Sequence, residues 1–281
     1  RPFFDPLVIH VLNLQQAEDL AHWGKLSRLL AQKFWPGPLT IVLPKKEGLS
    51  ELITSGGPTV GLRAPSHPLA QEILTQVGEA FAAPSANRFG HTSPTTAEHV
   101  LSEFEQEISV VDGGLCEKGI ESTVIEIDEK SQLIKILRPG VITEDDLQSF
   151  LINQKLDVLI ITKTQSNSPG HLKNHYQPTV PLILFEDDSA EIQREDFYDF
   201  EFEFDRCPTQ WQLNDQAEIS ARTLYKDLRE FSKKNQPIYL VLKKSWQESP
   251  LWNALLDRLH KACHFYAKKN SEGLIVLTPK N

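Results

Sequence analysis

Methionine is absent from this 281-residue chain, and cysteine occurs only three times, at Cys116, Cys207 and Cys263. The cysteines lie far apart, with no Cys-x-x-Cys and no Cys/His ligand spacing. That pattern argues against structural zinc and a disulfide framework, and it suits a reducing cytoplasm. Long apolar runs are missing as well. Runs such as Val158-Leu159-Ile160-Ile161 fit a short buried strand and fall far short of a membrane span. No signal-peptide pattern opens the sequence, and no Gly-x-Gly-x-x-Gly marks a dinucleotide site. Basic charge is in deficit: 38 Asp and Glu stand against 29 Lys and Arg, a net charge of −9. A protein whose whole surface holds nucleic acid is thereby disfavoured, and any tRNA binding is expected to be weak at most.

The acid is unevenly placed. Residues 186–205 carry ten Asp or Glu, whereas residues 1–150 are nearer neutral and hold Arg1, Arg63, Arg88 and Arg138. This asymmetry points to an anion-handling first half and a solvated acidic segment in the second. Composition (40% hydrophobic, 24% charged) is that of a globular protein with length for one large or two ordinary domains.

Strand and helix patterns interleave without a single βαβ rhythm over the first block. Strands are expected at 6–11, 39–43, 59–63 and up to Ala83, then a hairpin of 122–127 with 134–137. Helices are expected from an Asn13 cap to about residue 33, over 68–77, from Pro94 to Phe104 with Ser93 as cap, and over 145–153. The polar, Pro- and Gly-bearing stretch 162–180 reads as a linker. A strand at 181–185, a helix over 215–234, a strand at 238–242, a helix through about Ala267 and a strand at 273–277 follow. The expected organisation is therefore α/β throughout: a first domain over 1–155 with a twisted mixed sheet, a linker or lid over 156–180, and a smaller Rossmann-like parallel domain over 181–281.

The most telling segment is Ala83-Pro84-Ser85-Ala86-Asn87-Arg88-Phe89-Gly90, small polar residues between a strand and a helix start. Such a break aims backbone N–H groups and hydroxyls into one space, as an anion site requires, though an ordinary polar turn has the same composition. Its companions are Arg1-Pro2-Phe3-Phe4-Asp5-Pro6-Leu7-Val8-Ile9-His10, Thr59-Val60-Gly61-Leu62-Arg63-Ala64-Pro65 and Gly119-Ile120-Glu121-Ser122-Thr123-Val124-Ile125. Further on stand Leu137-Arg138-Pro139-Gly140, Ser168-Pro169-Gly170-His171 and His175-Tyr176-Gln177-Pro178. In this order and at these spacings the set resembles the YrdC family in its two-domain long form. The likeness covers essentially the whole chain, strongly over 1–178 and loosely over 181–281.

The resemblance implies a YrdC-like fold and a defined reaction. Threonine and bicarbonate become N-carboxythreonine, which attacks ATP to give threonylcarbamoyl-AMP and pyrophosphate. The product then feeds a tRNA threonylcarbamoyl transferase complex that modifies the base next to the anticodon. Such chemistry needs cations and N–H donors over the triphosphate, Mg²⁺ accompanying ATP, and an amino-acid pocket, with little covalent work by the protein. Carried over residue by residue, Arg1, Ser85 and Asn87 match the catalytic positions. Arg1, Asp5, Thr59, Ser85, Ser93, Arg138 and Tyr176 match ATP contacts; His10, Arg63, Ala83 and Ser122 match threonine contacts. No resident metal-ligand set is implied.

Departures are visible. Asp5 stands where the family has asparagine, so it touches ribose or metal or points away. Ala83 replaces a threonine or serine and is left with backbone contact. Gln177 replaces an alanine. The zero methionine count and the start at an arginine that closes a Lys-x-Arg pair lead to the expectation that residues before Arg1, including that lysine, are missing from this sequence. Plain readings stand beside the functional ones: Cys116 as a small residue near a turn, Ser85 as a cap, His10 as a packed strand end, Arg138 as a surface ion pair. The segment 166–178 is expected to close as a lid with Tyr176 reaching the nucleotide. The competing functions are a carbamoyl-adenylate-forming carbamoyltransferase and a non-catalytic RNA-binding maturation factor.

Overall fold

The computed structural model describes residues 5–104, 108–162, 175–186, 192–193, 196–197 and 206–280. In chain order the elements are β1 (Val8–His10), α1 (Leu14–Glu18), α2 (Lys25–Phe34), β2 (Leu39–Pro44), α3 (Glu51–Thr54), β3 (Thr59–Arg63) and α4 (Pro68–Val77). Next come β4 (Phe81–Ala83), α5 (Ala97–Phe104), β5 (Thr123–Asp128), β6 (Leu133–Arg138), α6 (Glu144–Asn153) and β7 (Leu159–Thr162). The remainder is β8 (Leu182–Phe185), β9 (Thr209–Gln210), α7 (Ala217–Lys233), β10 (Ile238–Val241), α8 (Pro250–Ala262), β11 (Phe265–Lys269) and β12 (Ile275–Pro279). The chain is α/β and forms two compact units: Arg1–Ser85 with Glu121–His171, and Ala86–Ile120 with Leu172–Asn281. Residues 86–120, which the sequence pattern groups with the first block, pack within the second unit through hydrogen bonds given below.

The first unit carries a seven-stranded mixed sheet in the order β4-β1-β3-β2-β5-β6-β7. Its strands alternate. In β1, Ile9 is buried between the half-buried Val8 and His10; in β3, Val60 and Leu62 are buried between half-buried Thr59, Gly61 and Arg63. Because successive side chains point to opposite faces, one face collects Ile9, Leu62, Ile41 and Ile125, all in one core with α2's Leu30 and Ala31 and α6's Leu147 and Leu151. The opposite face is left for other work.

The hairpin turn between β5 and β6 does more than reverse the chain. Glu129 accepts from the Leu26 and Ser27 backbone N–H groups at 3.1 and 2.8 Å and from the Ser27 hydroxyl at 2.7 Å. A carboxylate thereby satisfies the orphan donors at the start of α2 and complements its dipole. This accounts for one departure from the pattern: the expected single helix over 13–33 is two. Asn13 caps only α1, accepting from Gln16 N at 3.1 Å, and α2 restarts beyond Gly24.

The second unit has a five-stranded sheet, β12-β11-β8-β10-β9, parallel except for the β11–β12 pair. All four residues of β8 are buried, as are Ile238, Tyr239 and Leu240 of β10, the signature of strands covered on both faces. α7 buries Ala217, Ala221, Leu224 and Leu228 on one face, as its spacing predicts.

Three other boundaries differ from the pattern. The helix expected through Ala267 ends at Ala262, and Phe265–Lys269 is instead a strand between β8 and the antiparallel edge strand β12. The helix expected from Pro94 begins at Ala97; the Thr96 hydroxyl accepts from His99 N at 3.3 Å and acts as the cap assigned to Ser93. The apolar run at 158–161 is an edge strand, with Leu159 62% exposed, because β7 has β6 as its single sheet neighbour.

Candidate functional site

On the sheet face opposite that core, register assembles a polar row. His10 pairs with Arg63 across β1 and β3. β2 runs antiparallel to β3 with Ile41 opposite Leu62, which sets Thr40 beside Arg63. Thr40 pairs with Val124, and Val124 with Arg138. Ser122, two residues before Val124, shares its face. His10, Arg63, Thr40, Ser122 and Arg138 therefore meet at one end of the sheet, although they come from five separate stretches of chain.

Hydrogen bonds hold four of the five. Arg63 Nε donates to the Gly37 carbonyl at 3.1 Å. Arg138 donates through Nε and Nη2 to the Ser122 carbonyl at 3.1 and 2.9 Å, and through Nη2 to Ser122 Oγ at 3.1 Å. The Thr40 and Ser122 hydroxyls share a hydrogen bond of 2.8 Å. The turn that delivers Arg138 is locked by Thr123, whose Oγ1 donates to Ile142 O at 2.7 Å and accepts from Ile142 N at 3.0 Å. Gly140 lies so close to Thr123 that a Cβ would come within 2.6 Å of its backbone nitrogen, so only glycine fits this corner. The surface-ion-pair reading of Arg138 fails, since this side chain is buried against Ser122.

The row is electropositive and partly dry. Burial, and then Arg138, lower the Arg63 pKa to about 10. Burial, and then Arg63, lower His10 to about 4, which keeps the imidazole neutral near pH 7. His10 Nδ1 is buried and has no hydrogen-bond partner among the described residues. Two guanidiniums, an imidazole and two hydroxyls, half-buried at His10 and Arg63 and buried at the other three, are suited to a small anion that also offers hydrogen-bonding groups.

The remaining expected residues fall elsewhere. Ala83 ends β4 on the same sheet, paired with Val8, and Ser85 follows exposed two residues later. Thr59 occupies the opposite end of β3 from Arg63, so the row does not include it. Asp5 precedes β1, and Arg1 lies outside the described residues.

Asn87, Ser93 and Tyr176 belong to the second unit. There Asn87 Nδ2 donates to the Arg88 and His91 carbonyls at 3.0 and 2.9 Å, closing the loop on itself. Its Oδ1 is buried without a partner among the described residues. The residues 175–177 grip this loop. Gln177 N donates to Gly90 O at 3.0 Å, Thr92 Oγ1 donates to Tyr176 O at 3.1 Å, and the His175 ring meets Phe89 edge-on at 6.2 Å. Tyr176 is buried, its ring 5.4 Å from Tyr225 and under the Arg258 guanidinium at 5.9 Å. Most of the lid segment, 163–174, lies outside the described residues. Gly119, with φ of +72°, packs directly on the backbone of α7 at Ala221, where a Cβ would collide.

Known proteins share this architecture. The Sua5/YciO/YrdC family model, described as "Telomere recombination", matches residues 1–140, and "Threonylcarbamoyl-AMP synthase, C-terminal domain" matches residues 142–263. The threonylcarbamoyl-AMP synthase of Pyrococcus abyssi is 33% identical over 93% of this chain and 81% of its own length. The chain belongs to the threonylcarbamoyl-AMP synthase family. A threonylcarbamoyl-AMP synthase from Bacillus subtilis is 38% identical over 69% of this chain, which spans 56% of that relative. The crystal structure of P. abyssi Sua5 complexed with L-threonine superposes with a TM-score of 0.78 at 31% identity, covering 93% of this chain and 81% of that one. A variant of the same Sua5 with a consecutive His and Tyr changed to alanine gives a TM-score of 0.77.

Within a threonylcarbamoyl-AMP synthase frame, sequence reasoning missed Thr40 and Arg229. Thr40 follows Trp35-Pro36-Gly37-Pro38 and is the one polar residue in an otherwise apolar strand start, a signal that could have been read. Arg229 sits on a helix 126 residues from its partner Glu103, and no local pattern announces it. Among the described residues no group of three or more His, Cys, Asp or Glu could hold a metal. The unpartnered Asn87 Oδ1 is a hard oxygen of the kind that Mg²⁺ takes.

Proposed function

We propose that this chain condenses L-threonine, bicarbonate and ATP into threonylcarbamoyl-AMP and pyrophosphate. The observation that carries the reading is the row of His10, Arg63, Thr40, Ser122 and Arg138, two hydroxyls set between two guanidiniums with a neutral imidazole beyond Arg63. Arg63 takes the threonine carboxylate, whose charge offsets the repulsion from Arg138. Ser122 and the neutral His10 serve the hydroxyl and amine. Keeping the imidazole uncharged matters, because a second cation beside the amine would disfavour its approach. The amine adds to bicarbonate-derived carbon with loss of water. A carbamate oxygen then attacks the α-phosphorus of ATP, and the bond to pyrophosphate breaks.

Ser85, Asn87 and Ser93 supply the hydroxyls and amide for nucleotide phosphates, with Arg138, Thr59, Asp5, Arg1 and Tyr176 as further nucleotide contacts. Mg²⁺ would accompany ATP, held by phosphate oxygens and Asn87 Oδ1, and would neutralise charge on the departing pyrophosphate. The product passes to a tRNA threonylcarbamoyl transferase complex in the cytoplasm. No helix of the described residues is long and apolar enough to cross a membrane, in keeping with that setting.

Pyrophosphate release from ATP tests the reading. It is expected only when threonine and bicarbonate are both present. Equal turnover with carbamoyl phosphate and no threonine would assign the chain to the carbamoyltransferases instead.

A further inference from the structure

Arg229, midway along α7, has no place in the chemistry above, yet it is the most connected cation near the nucleotide loop. Its side chain is 14% exposed and that of its partner Glu103 only 8%. Nη2 donates to the Thr92 carbonyl, Nε donates to the Ser93 carbonyl at 3.3 Å, and Nη1 and Nη2 both donate to Glu103 Oε2 at 3.3 Å. Glu103, at the end of α5, turns its other oxygen to the same loop, accepting from Arg88 N at 3.0 Å and pairing with His91 Nδ1 at 2.7 Å. Arg88 Nε in turn donates to the Glu103 carbonyl at 3.2 Å.

Between Asn87 and Ser93 the loop is thus tied to Arg229 or to Glu103 at Arg88, His91, Thr92 and Ser93, beside its ties to Tyr176 and Gln177. A planar five-donor fork is needed for this, because two adjacent carbonyls and a carboxylate must be met at once. The carboxyl of Glu103 lies below its ordinary range: burial opposes its charge, but the Arg88 N–H, Arg229 and His91 together outweigh burial. The hub is therefore ionised on both sides.

We infer that Arg229 is a positioning residue for the nucleotide: the second unit's long helix sets the loop that carries Asn87 and Ser93. This rests on the nucleotide role proposed above for those two residues. Arg229 itself touches no reacting atom. Its contribution is to hold loop carbonyls inward, so that the hydroxyl and amide need no ordering when ATP arrives.

The test uses the full chain as wild type, Arg229→Ala, Arg229→Lys and Glu103→Gln. Three readings are taken: pyrophosphate release over ATP and threonine concentration, threonine binding by calorimetry, and backbone hydrogen exchange across 88–93. Arg229→Ala is expected to raise KM for ATP about ten- to a hundred-fold while threonine affinity stays within about two-fold. Exchange across the loop should rise about ten-fold or more. Arg229→Lys, which keeps the charge but loses the fork, should fall between, and Glu103→Gln should move the same quantities in the same direction. If Arg229→Ala does not fold, the Lys and Gln variants carry the decision. An unchanged KM for ATP, or ATP and threonine weakened together, overturns the inference. Should wild type release no pyrophosphate, the proposed function fails by itself, and loop exchange still decides: unaltered exchange in the variants overturns the positioning role.

Discussion

The two units use their sheets in opposite ways. In the first, β1 and β3 alternate buried and half-buried residues, so one face closes a core and the other carries the half-buried His10 and Arg63, with buried Thr40 beside them on β2. In the second, β8 and the first three residues of β10 are buried whatever their parity, and the polar work falls to Arg229 on a helix and to Asn87, Ser93 and Tyr176 in loops. A strand covered less on one face than on the other can turn polar side chains to the lighter side. Where both faces are covered, the sheet supplies stiffness, and function moves to the segments it anchors.

The largest effect should come from breaking the doubly covered sheet. Ile183 and Leu184 are adjacent, point to opposite faces and are both 0% exposed. Truncating either to alanine should cost about 2–5 kcal/mol, measured as a shift of the denaturant midpoint at constant slope. In the first unit the same pair of changes should be unequal, with Ile9→Ala far more costly than Val8→Ala. Near-equal losses at Ile9 and Val8 would show that the polar face is covered as fully as the core face, and would break the comparison.

Arg63→Ala sharpens the comparison from the side of function. It removes a partly buried cation from the polar face and leaves the core face untouched, so stability should change little. Threonine binding should weaken by about ten- to a hundred-fold, roughly 1.5–3 kcal/mol, with a much smaller effect on ATP. Calorimetric titration with threonine and with a non-hydrolysable ATP analogue separates the two. Equal losses would make Arg63 a phosphate ligand and reassign the face to the nucleotide.

Much of this was legible in the residues, and the failures share a cause. Strands with clear alternation or a dense apolar run were found nearly to the residue: β1, β3, β8 and β10 all stand where their patterns predict. Boundaries failed where a distant partner decides them. Glu129 caps α2 from more than a hundred residues away and so splits a stripe that reads as one helix. Pairing with β12 turns Phe265–Lys269 into strand, against a helical reading. The same holds at the sites. His10, Arg63, Ser122 and Arg138 were named from motifs in the strands and their flanks, and sheet register brings them together. Residues 86–120 follow the first block in the sequence pattern yet pack in the second unit, because Arg229, Ala221 and Gln177 meet them through contacts that no window of sequence contains.

The smallest effect concerns His10, and its sign follows from the direction of its shift. In the folded protein its pKa is near 4, against an ordinary value of 6.5, because burial and then Arg63 disfavour the charged imidazole. The folded state therefore binds this proton less readily than the unfolded chain does. Its contribution is fully present above about pH 6.5 and is lost as pH falls toward 4. With His10 only half-buried, the loss should be about 1–2 kcal/mol rather than the full value of such a shift. Comparing wild type with His10→Gln by denaturation across pH 7 to 4 isolates it, since other carboxylates titrate alike in both. The stability difference between them should move against wild type as pH falls. Saturating threonine should blunt that movement, because a carboxylate on Arg63 offsets the neighbouring positive charge and lets the imidazole keep its proton. A pH-independent difference would mean that His10 is solvated like any exposed histidine, and that the polar face is wetter than its half-buried residues imply.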